Sequence, residues 1–221
     1  MSSNLARRAG AASVFVPALS AIVWWGGAPL LVVTALIVGV GTWEFFRLCG
    51  QKGARPFVWP GILMSAGIGP WLCGEPRRHA EGLLMLLVVG VLAVALTRRR
   101  EGASLPDAGA TLFGVLYVGL LGSALPLPRN LPVPHAAPLA LAVLVSVWVM
   151  DAFAYFAGRL FGRTRPFARV SPKKSLEGCV AGVCGALGVI WAFAPGIPAL
   201  LPRDIWAIGL LVGIGGQAGD F

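Results

Sequence analysis

The stretch from Pro138 to Phe161, PLALAVLVSVWVMDAFAYFAGRLF, runs straight into a segment bearing Arg163, Arg165, Arg169, Lys173 and Lys174. As a helix these residues rise about 1.5 Å each, enough to cross a hydrocarbon core of about 30 Å. The cations at the far end then lie in water beside the membrane. A helix of this kind decides the fold class, and the rest of the chain repeats its pattern.

Over 221 residues the chain is 57% hydrophobic and only 12% charged, with a mean hydropathy of +0.80. Too few polar groups remain to cover a water-soluble surface. Eight apolar stretches are expected to form helices: Val14 to Trp25, Pro29 to Leu48, Phe57 to Cys73, Leu83 to Thr97, Ala110 to Pro126, Pro138 to Phe161, Cys179 to Ala194 and Ile205 to Gln217. Only Gly26, Gly27 and Ala28 separate the first two, which form a hairpin or one long tilted span. Arg7 and Arg8 before the first apolar run resemble the start of a signal peptide, but no polar mature domain follows, so the helix is expected to be retained. The fold class is therefore all-α: a polytopic membrane helix bundle of about eight transmembrane helices, forming a single membrane domain over residues 1–221. Residues 1–137 hold helices one to five, and residues 138–221 hold the part richest in chemistry.

Charge gives an independent reading of topology, because cytoplasmic loops retain Lys and Arg. With the N-terminus cytoplasmic, the inner segments hold Arg7, Arg8, Arg47, Lys52, Arg55, Arg98 to Arg100, Arg159, Arg163, Arg165, Arg169, Lys173 and Lys174, fourteen of the 18 basic residues. The outer loops keep Arg77, Arg78, Arg129 and Arg203, partly offset by Glu75, Glu81 and Asp204. A multi-pass protein of a bacterial cell membrane fits this asymmetry. The net charge of +9 is distributed by membrane side, without an aromatic ladder or a recognition fold, so attraction to membrane lipids is expected and nucleic acid is not. Cys49, Cys73, Cys179 and Cys184 occur singly, which suits neither a CxxC metal site nor a disulfide framework. Five prolines between Pro126 and Pro138 make a stiff outer connection.

Carboxylates inside a membrane are expensive and mark function by default. Asp151 lies about ten residues before the inner end of the sixth helix, where it pairs with another helix or opens onto a wet cavity. Tyr155 and Arg159 follow at steps of four, so the three line one helix face that descends toward the cytoplasm. Glu44, in Trp43-Glu44-Phe45-Phe46-Arg47, sits near an interface and is better suited to anchoring its helix. The basic loop can grip phosphates, since Arg forms paired bonds to phosphate oxygens, Lys adds compact charge and Ser171 and Ser175 add donors. Ser171 followed by Pro172 reads as a helix start, whose free N–H groups would face an anion. Glu177 is placed to hold a Lys or orient a cation. Charge alone leaves two readings open, a phosphate site or a polybasic loop that enforces topology.

The order of residues separates them. Asp151-Ala152-Phe153-Ala154-Tyr155-Phe156-Ala157-Gly158-Arg159-Leu160-Phe161-Gly162, then Ser171-Pro172-Lys173-Lys174-Ser175-Leu176-Glu177-Gly178, then Gly216-Gln217-Ala218-Gly219-Asp220-Phe221 resemble the phosphatidate cytidylyltransferase (CDP-diacylglycerol synthase) family. The likeness is specific over residues 148–221 and looser before them; it departs at Ala152 and Phe153, where smaller or hydroxylated residues are usual. It implies transfer of a cytidylyl group from CTP to phosphatidate, giving CDP-diacylglycerol and pyrophosphate with Mg²⁺, in phospholipid biosynthesis. By the same resemblance Asp220 is the metal ligand and, with Lys173, Lys174 and Asp151, catalytic. Arg159, Lys173 and Lys174 contact phosphate, and Ser171, Ser175, Glu177 and Tyr155 support the substrate. A second copy of the chain is carried as a candidate partner. The family's Lys-Asp, His-Gly-Gly and Asp-Arg signature would begin shortly after Asp220, where this sequence stops, so poor nucleotide binding and little or no turnover are expected of these 221 residues. A CTP-dependent polyprenol or phytol kinase, a transporter or scramblase, and a non-catalytic membrane scaffold are the competing functions. A transporter would be expected to show paired inverted repeats, which the sequence lacks.

Overall fold

The computed structural model describes residues 2–74, 80–97, 105–166, 171–172, 174–198 and 200–219. Among the described residues there is no strand. The helices are α1 (Ser2–Trp25), α2 (Gly27–Gln51), α3 (Val58–Cys73), α4 (Ala80–Thr97), α5 (Leu105–Gly114), α6 (Ala136–Phe161), α7 (Leu176–Phe193) and α8 (Pro202–Gly219), with α5 continued by a π-helical turn over Val115–Leu120. The first two apolar stretches form two helices rather than one. The break falls at Gly26, whose φ of 68° is costly for any residue with a Cβ.

By length and composition three helical segments can cross a membrane: Gly27–Gln51, Ala136–Phe161 and Leu176–Gly196. Shorter apolar helices cover Ser13–Trp25, Val58–Cys73, Gly82–Thr97 and Leu105–Leu120. The expected last span, on α8, is in neither group; its glycines, Arg203, Asp204 and Gln217 dilute its hydropathy. On α2 the buried face is Leu30, Thr34, Val38, Thr42 and Phe46, while Val32, Leu36 and Val40 are exposed. A helix that turns hydroxyls inward and large aliphatics outward is built for lipid, not water. The chain is an all-helical membrane protein.

The helices group into two compact units, residues 25–130, and residues 1–24 with 131–221. In the first unit, α2, α3 and α5 close around Phe46, whose ring occupies the space where Gly61 and Gly114 lack side chains. The α2–α3 loop is tied to α5: the Arg55 N–H donates to Asp107 Oδ1 at 2.6 Å and the Phe57 N–H to Thr111 Oγ1 at 2.8 Å. This corrects the fifth helix, which starts at Leu105 rather than Ala110. Pro106 and Asp107 in its first turn suit a helix N-terminus, and Asp107 is buried because it serves the loop.

In the second unit α7 packs along α6 on one side and α8 on the other. Glycines make this possible. A Cβ on Gly178 would lie 2.6 Å from the Ala154 carbonyl oxygen, and one on Gly182 would lie 3.0 Å from that of Met150. On α8, Gly209 faces Leu187 and Gly213 approaches the Val183 backbone, 3.0 Å from where its Cβ would be. Small residues four apart let helix backbones approach where hydrophobic burial cannot drive association. Toward one end the three helices are filled by Leu139, Ala142, Ile190, Ile197 and Ile205. Toward the other, α6 and α7 stay in close contact through Gly158 and Gly178.

Candidate functional site

Beside these docked ends a cleft of about 580 Å³ opens, its lining including Asp151, Tyr155 and Arg159 of α6, Arg165 and Lys174 of the loop, Ser175 and Cys179 at the start of α7, and Gln217 of α8. The expected face of α6 is there: Asp151 is exposed, and an Arg159 guanidinium N–H donates to the Tyr155 hydroxyl at 3.3 Å. Two helical turns separate Asp151 from Arg159, about 12 Å at the usual rise. Lys174 Nζ donates to the Gln217 main-chain carbonyl at 3.4 Å, which draws the cation toward α8. The Arg165 guanidinium donates to the Pro172 carbonyl at 3.1 Å. Three cations and one carboxylate among the described lining residues give the cleft a positive field that favours anions.

The loop is held by bonds at its α7 end. Ser175 is the N-cap of α7, extended at φ −120° and ψ 153°, and its Oγ accepts the Gly178 N–H at 3.2 Å. The Leu176 N–H donates to the Thr164 carbonyl at 2.9 Å. The Glu177 carboxylate accepts N–H bonds from Thr164 at 3.0 Å and Arg163 at 3.2 Å. Glycine again permits the fit, since Ser175 Oγ lies 3.1 Å from where a Gly158 Cβ would be and 2.6 Å from where a Gly162 Cβ would be. The Gly158…Gly162 and Ser175…Gly178 blocks are spaced as they are because they dock on each other.

The helix start expected at Ser171 and Pro172 is therefore corrected to Ser175. The Lys174 N–H donates to the Ser171 carbonyl at 3.2 Å, the closing bond of a turn with Ser first and Pro second. That same dipeptide order is favoured in a type I turn, and the Ser175 cap gives the helix a later beginning. The α7 N-terminus spends the N–H groups of Leu176 and Gly178 on the protein itself, so it is not the open anion site expected at Pro172.

Of the expected site residues, Asp151, Tyr155, Arg159, Lys174 and Ser175 come together around the cleft. Ser171 and Glu177 are not among its lining residues; Glu177 braces the Arg163–Thr164 backbone. Lys173 and Asp220 lie outside the described residues. Arg165 was expected only as one of the phosphate-gripping cations of the basic loop, and Cys179 and Gln217 of the lining had no expected role. Gln217 had a signal, since it follows Ile205, Gly209 and Gly213 at steps of four on the buried face of α8, the face that must pack. Among the described residues no three His, Cys, Asp or Glu side chains group as a metal site.

A cationic cleft with a carboxylate, set among apolar helices, defines the class: a helical membrane protein with a positively charged cleft. The chain belongs to the Cytidylyltransferase family, whose model matches residues 6–221. Among its relatives, a phosphatidate cytidylyltransferase of Thermotoga maritima is 39% identical over 59% of this chain and 46% of its own length. One from Synechocystis sp. is 27% identical over 88% of this chain and 74% of its own. A third, from Pseudomonas aeruginosa, is 33% identical over 71% of this chain and 58% of its own. The matched stretches thus span from about half to three quarters of these relatives.

Proposed function

We propose that the chain transfers a cytidylyl group from CTP to phosphatidate, forming CDP-diacylglycerol and releasing pyrophosphate. The observation that carries this reading is the cleft, in which Arg159, Arg165 and Lys174 converge with Asp151 in a member of the Cytidylyltransferase family. The names of the relatives support the choice of CTP and phosphatidate. We further propose an eight-span topology in a bacterial cell membrane, with the N-terminus and the cleft on the cytoplasmic side, where CTP is available.

An oxygen of the lipid phosphate attacks the α-phosphorus of CTP. One P–O bond forms to the lipid, the bond to the β-phosphate oxygen breaks, and pyrophosphate carries away the electron pair. The protein supplies no covalent intermediate, so its contribution is positioning and neutralisation of charge. Lys174 and the guanidinium groups of Arg159 and Arg165 offset the charge that builds on the departing pyrophosphate. Tyr155 fixes the Arg159 guanidinium, and the Gln217 carbonyl holds Lys174. The donor set is compatible with Mg²⁺, which takes one or two carboxylates plus phosphate oxygens and water. Asp151 is the described carboxylate of the cleft, and Asp220, outside the described residues, is proposed as a ligand from the family resemblance. When bound, the ion would screen the phosphates and orient the triphosphate.

Replacing Lys174 or Arg159 by Ala is expected to raise the KM for CTP about tenfold, the worth of one charge-assisted hydrogen bond, with membrane insertion unchanged. Unchanged kinetics in both variants would return the loop to a purely topological role.

A further inference from the structure

The Glu177 carboxylate lies outside the cleft lining, yet it accepts two consecutive main-chain donors, the Arg163 N–H at 3.2 Å and the Thr164 N–H at 3.0 Å. The next peptide is held from the same turn of α7, because the Thr164 carbonyl accepts the Leu176 N–H at 2.9 Å. That peptide also carries the nitrogen of Arg165. The Arg165 side chain is tied at its far end as well, its guanidinium donating to the Pro172 carbonyl at 3.1 Å, and it lines the cleft. Groups outside the cleft thus set both the backbone and the tip of this cation. Arg159 is placed by other means: it belongs to α6 and bonds to Tyr155 of the same helix.

Hydrogen bonds to an ionised carboxylate are stronger than those between neutral groups, so Glu177 supplies the firmer part of the tie between this segment and α7. Without it, residues 163–165 keep the single Leu176 bond to that helix. The long Arg165 side chain then regains conformational freedom that a ligand must remove again on binding. We propose that Glu177 is a positioning residue: its carboxylate acts through the Arg163–Thr164 backbone to hold the Arg165 guanidinium in the cleft, ready for the phosphates of the nucleotide. The ligand of Arg165 rests on the cytidylyltransferase reading; the link from Glu177 to Arg165 does not.

The test treats the purified chain in detergent with phenylglyoxal, a reagent for arginine, and follows modification of each arginine by peptide mass spectrometry. Glu177→Ala is expected to speed modification of Arg165 several-fold and to leave that of Arg159 unchanged. Glu177→Gln keeps an acceptor oxygen in nearly the same place, so it should restore most of the wild-type rate. An unchanged Arg165 rate in Glu177→Ala would overturn the proposal. So would an equal rise at Arg159, which would show general loosening, and so would a rate in Glu177→Gln as high as in Glu177→Ala, which would remove the hydrogen-bonded route. In the transfer assay, Glu177→Ala should raise the KM for CTP by up to about tenfold with kcat little changed. Adding it to Arg165→Ala should raise KM no further, because two residues that act as one unit are not additive; effects that multiply would show that Glu177 acts by another path. Absence of CDP-lipid formation by the wild-type protein would instead count against the proposed activity, which the labelling experiment does not measure.

Discussion

Ser175 shows how much one side chain can settle. Its Oγ caps α7, its extended backbone leads into the helix, and its small volume lets the loop close against Gly158 and Gly162. Ser175→Ala keeps the fit and deletes the cap, so a loss of about 1 kcal/mol is expected, read as a lower midpoint of thermal unfolding in detergent. An unchanged midpoint would show that the cap carries no stability. At this scale the sequence was legible where spacing alone decides. Asp151, Tyr155 and Arg159 share a face because four residues are close to one helical turn. It was ambiguous where one pattern serves two structures, as Ser171-Pro172 does for a turn and a helix start. It gave Gln217 a place on the buried face of α8 by spacing, but not its packing against Gly182 of α7, which belongs to another element.

At the scale of elements, glycine placement on α7 and α8 controls how closely the cleft walls stand. A Cβ at Gly178 meets backbone, the Ala154 carbonyl oxygen at 2.6 Å, which cannot step aside as a flexible side chain would. Gly178→Val should therefore separate α6 from α7 and destabilise the protein by about 1–3 kcal/mol. Gly188 lies on the same helix with nothing within 4 Å of its Cβ position. Gly188→Ala should be neutral or stabilising by up to about 1 kcal/mol. Unfolding midpoints of the two variants, measured side by side in one detergent, check the contrast; equal effects would contradict the packing described. Hydropathy located all eight helices because apolar length is a strong signal. It missed where they begin: α5 starts early because Pro106 and Asp107 form a helix-start pattern outside the apolar run. Asp107 is buried for the sake of a loop some fifty positions away in sequence, a relation that no local window contains.

For the whole molecule, composition was enough to indicate an apolar helical bundle, while the asymmetry of Lys and Arg carries the proposed topology. The division into two units, with α1 grouped with the C-terminal helices, follows from tertiary contacts and has no mark in the sequence. The cleft belongs to the unit of residues 1–24 and 131–221, which contains all three sequence blocks that resemble the cytidylyltransferases. The most direct test of the proposed activity follows the label from CTP. Purified protein is incubated with phosphatidate, Mg²⁺ and CTP labelled at either the α- or the γ-phosphorus, and the lipid phase is separated by chromatography. Cytidylyl transfer predicts that α-label enters a CDP-lipid and that γ-label stays in the aqueous phase as pyrophosphate. Label from the γ-phosphorus in the lipid, with none from the α-phosphorus, would reveal a CTP-dependent kinase and contradict the transfer.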